Sequence, residues 1–173
     1  MSTHCDVARI CLNGHLIGFE LKGPGRPGLR QVGDPLCQQC GSRTIAECPE
    51  CRSEIRGRPM VSPMVPDVFT SYDVPRFCRA CGSAYPWTKS KIEAAKELIR
   101  LADELNDAEK ATLTADLPDL VSDTPKTQAA TTRLKRLLAK LGGWAKSTLQ
   151  KSTLQDVFRD LLSEAAKKVI FGP

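Results

Sequence analysis

The chain has 173 residues, a formal net charge of +5 with its two histidines neutral, and only 5% aromatic residues. That length suits one ordinary domain or two small ones, and so few aromatics argue against a single large core. The opening MSTHCDVARICL lacks an apolar stretch of signal-peptide length, and no apolar run approaches a membrane span, so a soluble cytoplasmic protein without stable membrane insertion is expected.

All eight cysteines precede residue 82, and six of the nine aromatics lie at or before Trp87. This shift places a domain boundary there, with one domain over 1–87 and a helical one over 88–173. Within the first, β-rich stretches bounded by Gly or Pro predict strands near Val7–Cys11, Leu16–Leu21, Glu54–Met60 and Arg76–Cys78. Cysteines in a chain without an export signal point to metal or redox chemistry rather than to structural disulfides. Three pairs share one spacing: Cys37 with Cys40, Cys48 with Cys51, and Cys78 with Cys81. Two cysteines so spaced turn both sulfurs toward one ion, and tetrahedral zinc takes four N or S ligands. Gly41 and Gly82 ease the turn after their pairs, whereas Arg52 stands at the matching place after Cys51.

Three pairs supply six ligands, and two zinc ions need eight. Cys11 and His15 complete the count, with Gly14 letting the backbone bend between them. Cys5 competes for the eighth place, and a surface histidine on a strand is the plainer reading of His15. A cross-brace needs the second and third pairs almost adjacent, but seven residues separate Cys40 from Cys48. Sequential pairing therefore puts Cys11, His15, Cys37 and Cys40 around one ion and Cys48, Cys51, Cys78 and Cys81 around the other. Each site is expected to close its own small β-hairpin unit. Both tetrahedra are filled by protein, so two structural Zn²⁺ ions are expected rather than a catalytic one with an open position.

On these residues the sequence resembles a double zinc ribbon, with CLNGH…CQQCG as the first ribbon and CPECRSEIRG…FCRACGSAYPW as the second. The resemblance covers 1–87. Ribbons followed by a helical region are also similar to a little-characterised bacterial zinc-ribbon family related to zinc-finger ribonucleases of antiphage immunity. That likeness implies RNA cleavage in phage defence. The fold class expected from the whole chain is α+β, a double zinc ribbon followed by about four helices.

In the second half, Thr88 reads as a cap with Trp87 stapled onto Ile92. Ile92, Ala95, Leu98, Ile99, Ala102 and Leu105 then form one apolar stripe. Asn106 with Glu109 is a capping signature opening a short helix that should stop before Pro118. PDLVSD reads as a linker, and Thr124-Pro125 as the start of a third helix. That helix buries Leu134, Leu137, Leu138 and Leu141, presents Arg133, Arg136 and Lys140 on another face, and ends or bends at Gly142-Gly143. A last helix carries Leu154, Val157, Phe158, Leu161, Leu162, Ala165 and Val169 on one side. Helix-on-helix packing accounts for most of these stripes, and the width of the last two suggests a homo-oligomer.

Zinc changes the charge. A site of three thiolates, one neutral imidazole and Zn²⁺ carries about −1 and a four-thiolate site about −2, so the loaded chain is near about +2. Clustering is therefore more informative than net charge. Nine of the ten basic residues before residue 88 are Arg. Arg52, Arg56, Arg58, Arg76 and Arg79, with Phe77, Tyr85 and Trp87 among them, suit single-stranded nucleic acid, RNA first. Arg133, Arg136 and Lys140 form a second basic surface. The plainer alternative is that the aromatics fill the ribbon core and the arginines offset the thiolates. Cleavage of RNA needs a base and a group to stabilise the phosphorane, and His4, Asp67, Tyr72 and Asp73 are the candidates. The alternative class is a non-enzymatic adaptor whose ribbons recognise a protein partner or trigger while the helices self-associate. A redox switch that releases zinc on oxidation is a third reading that nothing in the spacing favours.

Overall fold

Strand β1 (Cys5–Cys11) is the hub of a four-stranded antiparallel sheet in the computed structural model. The structure describes residues 5–20, 34–59, 72–103, 105–142, 162–163 and 166–168, with backbone only at 5, 20, 59 and 138–142. Strand β2 (Leu16–Glu20) returns along β1 from Ile10↔Leu16 to Val7↔Glu20, and the register skips Ile17, a bulge. A strand has two edges, and the other edge of β1 carries two short partners end to end. Strand β3 (Thr44–Ile45) sits on Ile10 and Cys11, and β4 (Arg56–Pro59) on Cys5 and Val7.

Ala8 and Ile10 lie two apart on β1 and so share a face. They pack with Ile55, Tyr85, Trp87 and the buried Cys48 and Cys78. Tyr85 and Trp87 stack with centroids 4.7 Å apart, and Trp87 Nε1 donates to the Pro75 carbonyl at 2.8 Å. Gly14, at φ +90°, lies in the four-residue connection between β1 and β2, and a Cβ there would lie 3.1 Å from Trp87 Cβ.

Two expectations for this unit are corrected. The sites do not close separate hairpins: β4, which follows Cys51, pairs with β1, which runs into Cys11. Residues 76–78 form no strand but a single bridge, Phe77↔Ala84, made by two hydrogen bonds, Cys78 N to Ser83 O and Tyr85 N to the Arg76 carbonyl. Strand β3 was not foreseen, since two residues are too few to show alternation.

Backbone proximity divides the chain into two compact units, Met1–Ser90 and Lys91–Pro173. Helix α1 (Pro86–Leu101) starts from the Tyr85 carbonyl, which accepts from Thr88 N and Lys89 N. Thr88 is thus inside the helix and not its cap; its hydroxyl donates to the Arg76 carbonyl at 2.9 Å. Ala95, Ile99, Ala102 and Leu105 of the foreseen stripe are buried, and Ile92 packs against them.

Helix α2 (Asp107–Val121) opens on the foreseen capping box: Glu109 N donates to Asn106 Oδ1 and Asn106 N to Glu109 Oε2. It does not stop before Pro118 but runs through it, so Leu120 and Val121 of the expected linker are buried helix. A proline inside a helix costs about 3 kcal/mol, and burying Leu117, Leu120 and Val121 at about 1.5–3 kcal/mol each outweighs it. Helix α3 (Thr127–Gly142) follows a turn in which Thr124 N donates to Thr127 Oγ1 at 2.8 Å. Leu134 and Leu137 are buried, and Arg133 binds the buried Asp116 of α2 bidentately at 2.7 and 2.6 Å.

Residues 166–168 are helical again. Leu162 and Ala166 are fully buried in the same core as α2 and α3, and Ser163 N donates to Leu120 O. The rest of the expected last stripe (154, 157, 158, 161, 165 and 169) lies outside the described residues, as does Trp144. The architecture is therefore α+β, a small antiparallel sheet followed by helices. Among the described residues no helix is long and apolar enough to cross a membrane.

Candidate metal centres

Each of the three cysteine pairs folds into the same knuckle. The amide of the first cysteine donates to a serine carbonyl five residues on: Cys37 to Ser42, Cys48 to Ser53 and Cys78 to Ser83, all at 2.8 Å. The amide after the second cysteine turns back to the first cysteine's carbonyl, from Gly41, Arg52 and Gly82 at 2.8, 2.9 and 2.8 Å. An antiparallel bridge then clamps each base, Leu36↔Arg43, Glu47↔Glu54 and Phe77↔Ala84. The return requires left-handed backbone, and φ is +69°, +59° and +73° at Gly41, Arg52 and Gly82. Arg52 is the one non-glycine residue of the three and carries the steric cost of that conformation. Replacing it with glycine is expected to stabilise the unit by about 0.5–1 kcal/mol in denaturant titration.

The knuckles bring together the two sets of four that the spacing grouped. Within each set the ligand atoms all lie within 4.8 Å of one another. In the first, Cys11 Sγ is 3.7 Å from Cys40 Sγ, and His15 Nδ1 is 3.5 Å from Cys11 Sγ and 3.6 Å from Cys37 Sγ. In the second, the separations are 3.8 Å for Cys48–Cys81 and 3.6 Å for Cys51–Cys78. A tetrahedron with Zn–S of about 2.3 Å has S···S edges of about 3.8 Å, and with Zn–N of about 2.0–2.1 Å its S···N edges are about 3.5 Å. The donor atoms thus already stand at the corners that zinc requires, and each set could hold one ion. No corner is left for a water, so the donor sets fit structural rather than catalytic zinc.

Local dipoles prepare the sulfurs. The Ser42 hydroxyl and amide hold the Cys40 thiol down at about 5. Amides of Cys81 and Ala80 hold Cys78 at about 6, and Ser83 lowers Cys81. Burial pushes Cys48 up to about 11 and raises Cys11. Thiolate is the form that binds metal. Ser42, Ser53 and Ser83 belong to this machinery, and Cys51 Sγ lies 3.3 Å from Ser53 Oγ. Their signal was in the sequence: a serine stands two places after the second cysteine of every pair.

Cys5 cannot compete with His15. It is paired with Pro59 at the far end of β1 from Cys11, and six residues of strand at about 3.3 Å each put it about 20 Å away.

Of the other expected site residues, Arg52, Arg56, Arg79, Arg133 and Arg136 are exposed and Arg58 and Arg76 half-buried. Arg58 lies over the Phe19 ring, Cζ 4.3 Å from its centroid. Arg136 lines a cleft of about 400 Å³ between α2 and α3 with Asn106, Thr112 and Leu137. The Lys140 side chain, His4 and Asp67 lie outside the described residues. Tyr85 and Trp87 are 2% and 3% exposed, which closes them to base stacking, while Phe77 is exposed. Asp73 is exposed.

Tyr72 donates to the Arg56 carbonyl at 2.6 Å and meets Phe19 edge-on at 5.0 Å. Burial pushes its hydroxyl up to about 12 from an ordinary 10.0, so at neutral pH it stays protonated and is no base. A raised folded value means the native state holds its proton longer than the unfolded one. Its contribution to stability is therefore full below pH 10 and lost as pH rises toward about 12. Tyr72→Phe should flatten that fall, read as melting temperature against pH.

A family model described as "Uncharacterized protein conserved in bacteria (DUF2321)" matches residues 4–170. No curated protein and no solved structure matches the chain.

Proposed function

The chain belongs to the bacterial DUF2321 family, and we propose that it is a double zinc-ribbon module that binds nucleic acid, with single-stranded RNA as the preferred class. In this reading residues 1–87 are the binding domain, residues 88–173 a helical domain that assembles copies of the chain, and both zinc ions structural. The observation that carries it is the closed geometry of the two donor sets, each already complete in protein ligands. A closed site holds a fold together and leaves activity to the surface it presents. On that surface Arg52 directly follows the ligand Cys51 and Arg79 lies between Cys78 and Cys81, and both are exposed. An arginine fork reaches phosphate oxygens bidentately and stacks on bases.

The test is a gel of labelled single-stranded RNA with zinc-loaded protein over a salt series. Expected is a shift that weakens steeply with salt, as phosphate contacts require, and that is lost in the Arg52→Ala/Arg79→Ala double variant. Arg52→Gly alone should weaken binding while raising stability, which separates contact from folding. Shortened RNA would add the cleavage that the resemblance to antiphage ribonucleases implies, with Asp73 as the first described residue to replace. RNA left unshifted at low salt would remove the reading.

A second reading, the adaptor, is favoured by one observation. Leu36 and Phe77 each stand immediately before a knuckle's first cysteine and are 53% and 36% exposed. Apolar side chains at two knuckle bases suit a protein partner, and binding through them would be insensitive to salt.

A further inference from the structure

The two centres differ in how many exposed cysteines they contain. In every knuckle the first cysteine is buried and the second exposed: Cys37 and Cys40, Cys48 and Cys51, Cys78 and Cys81. The first centre is built from one knuckle plus Cys11 and His15, so it contains one exposed cysteine, Cys40, whose Sγ is 3.7 Å from that of the buried Cys11. Two knuckles build the second centre, and it contains two exposed cysteines, Cys51 and Cys81. The sulfur of each faces that of a buried cysteine of the opposite knuckle, Cys51 across from Cys78 at 3.6 Å and Cys81 across from Cys48 at 3.8 Å. Oxidation of cysteine follows thiolate character and exposure, and it goes on to a disulfide where a second sulfur stands within reach.

We propose that the second centre is a peroxide-sensitive modification site, at which exposed Cys51 and Cys81 form disulfides with Cys78 and Cys48 across the site, so that it gives up its zinc before the first centre does. The thiolate of Cys51 attacks a peroxide oxygen; an S–O bond forms, the O–O bond breaks, and hydroxide leaves. The Cys78 thiolate then attacks the sulfenic sulfur, an S–S bond forms, and the second oxygen leaves as hydroxide. Two sulfurs are oxidised and one peroxide is reduced. Cys81 and Cys48 follow the same steps. Either disulfide removes two of four donors, and the two that remain do not close a tetrahedron. At the first centre the imidazole of His15 has no such chemistry, and a single exposed cysteine offers one point of attack instead of two. Counting exposed cysteines alone, the second centre should lose its metal about twofold faster, and its greater negative charge adds to that. This inference rests on the metal centres and is independent of the nucleic-acid reading.

The experiment uses the full chain loaded with zinc, in wild-type form and with Cys5→Ser, treated with hydrogen peroxide in sub-equivalent steps. Released zinc is read with a chromogenic chelator, remaining thiols are alkylated after denaturation, and linkages are mapped by mass spectrometry. The expected result is that the first equivalent of zinc appears together with a Cys51–Cys78 or Cys48–Cys81 disulfide. Cys11, Cys37 and Cys40 are still alkylated at that stage, and dithiothreitol with added zinc reverses the change. Release of the first equivalent with oxidation at Cys11, Cys37 or Cys40 would overturn the proposal. So would simultaneous loss of both ions at the lowest dose, or sulfonic acid at Cys51 and Cys81 without a disulfide. Mapping Cys5 in the wild type keeps the result readable if Cys5→Ser folds poorly.

Discussion

Chelating both metals is expected to unfold the sheet-bearing unit, with loss of near-ultraviolet dichroism and a red shift of Trp87 emission. Among the described residues the buried apolar cluster of this unit has seven members, and two of them, Cys48 and Cys78, are themselves proposed ligands. So small an apolar core cannot offset the ordering of the surrounding loops. A structural zinc supplies on the order of 10 kcal/mol or more at neutral pH, so the metals dominate the balance. Single-ligand variants refine the test. Cys48→Ser and Cys11→Ser should each lower metal content from about two zinc ions per chain to about one, while Cys5→Ser should leave about two. A chelated protein that kept its dichroism would show that the sheet stands without metal.

The second large effect is expected from Gly57→Ala, which should cost about 3 kcal/mol, at the upper end for overpacking a closed site. A Cβ there would lie 2.7 Å from the Asp6 carbonyl oxygen, 2.9 Å from its carbon and 2.9 Å from Phe19 Cδ1. Two of these neighbours are backbone of β1, which cannot rotate away. Phe19 in turn is held by the edge of Tyr72 and the guanidinium of Arg58. Relief must therefore come from parting β4 and β1, the pairing that joins the segment after Cys51 to the strand leading into Cys11. Urea denaturation of the zinc-loaded variant would measure the loss. Unchanged stability would mean that β4 shifts without cost.

The metal centres were the most legible part of the chain. Cysteine spacing is a local property, and three repeats of one four-residue knuckle announce themselves in any order of reading. Counting to eight, with the glycine between them, suggested Cys11 and His15 for the first set but left Cys5 in competition. Only the register of β1, which carries Cys5 to the far end of the strand, decided for His15. Capping by Asn106 and Glu109 was as local as the cysteine spacing. Misjudged features depended on distant partners. Thr88 has the residue type of a cap, yet its hydroxyl reaches the Arg76 carbonyl instead. Pro118 has the type of a stop, yet burial of Leu120 and Val121 carries the helix past it.

What the sequence by itself determined is thus the donor inventory: which sulfurs and which imidazole could share an ion, and that a helical half follows. Only the tertiary structure decided three further things. It made one sheet of two ribbons, because β1 offers a second edge to both β3 and β4. It took Tyr85 and Trp87 out of the reach of any ligand, because a unit with so small a core buries the largest apolar surfaces it has. It also buried the first cysteine of each pair and left the second exposed, and Cys48 and Cys78 pack into the core under the sheet. Exposure of that kind is set by what packs against a residue, and four letters of sequence do not carry it.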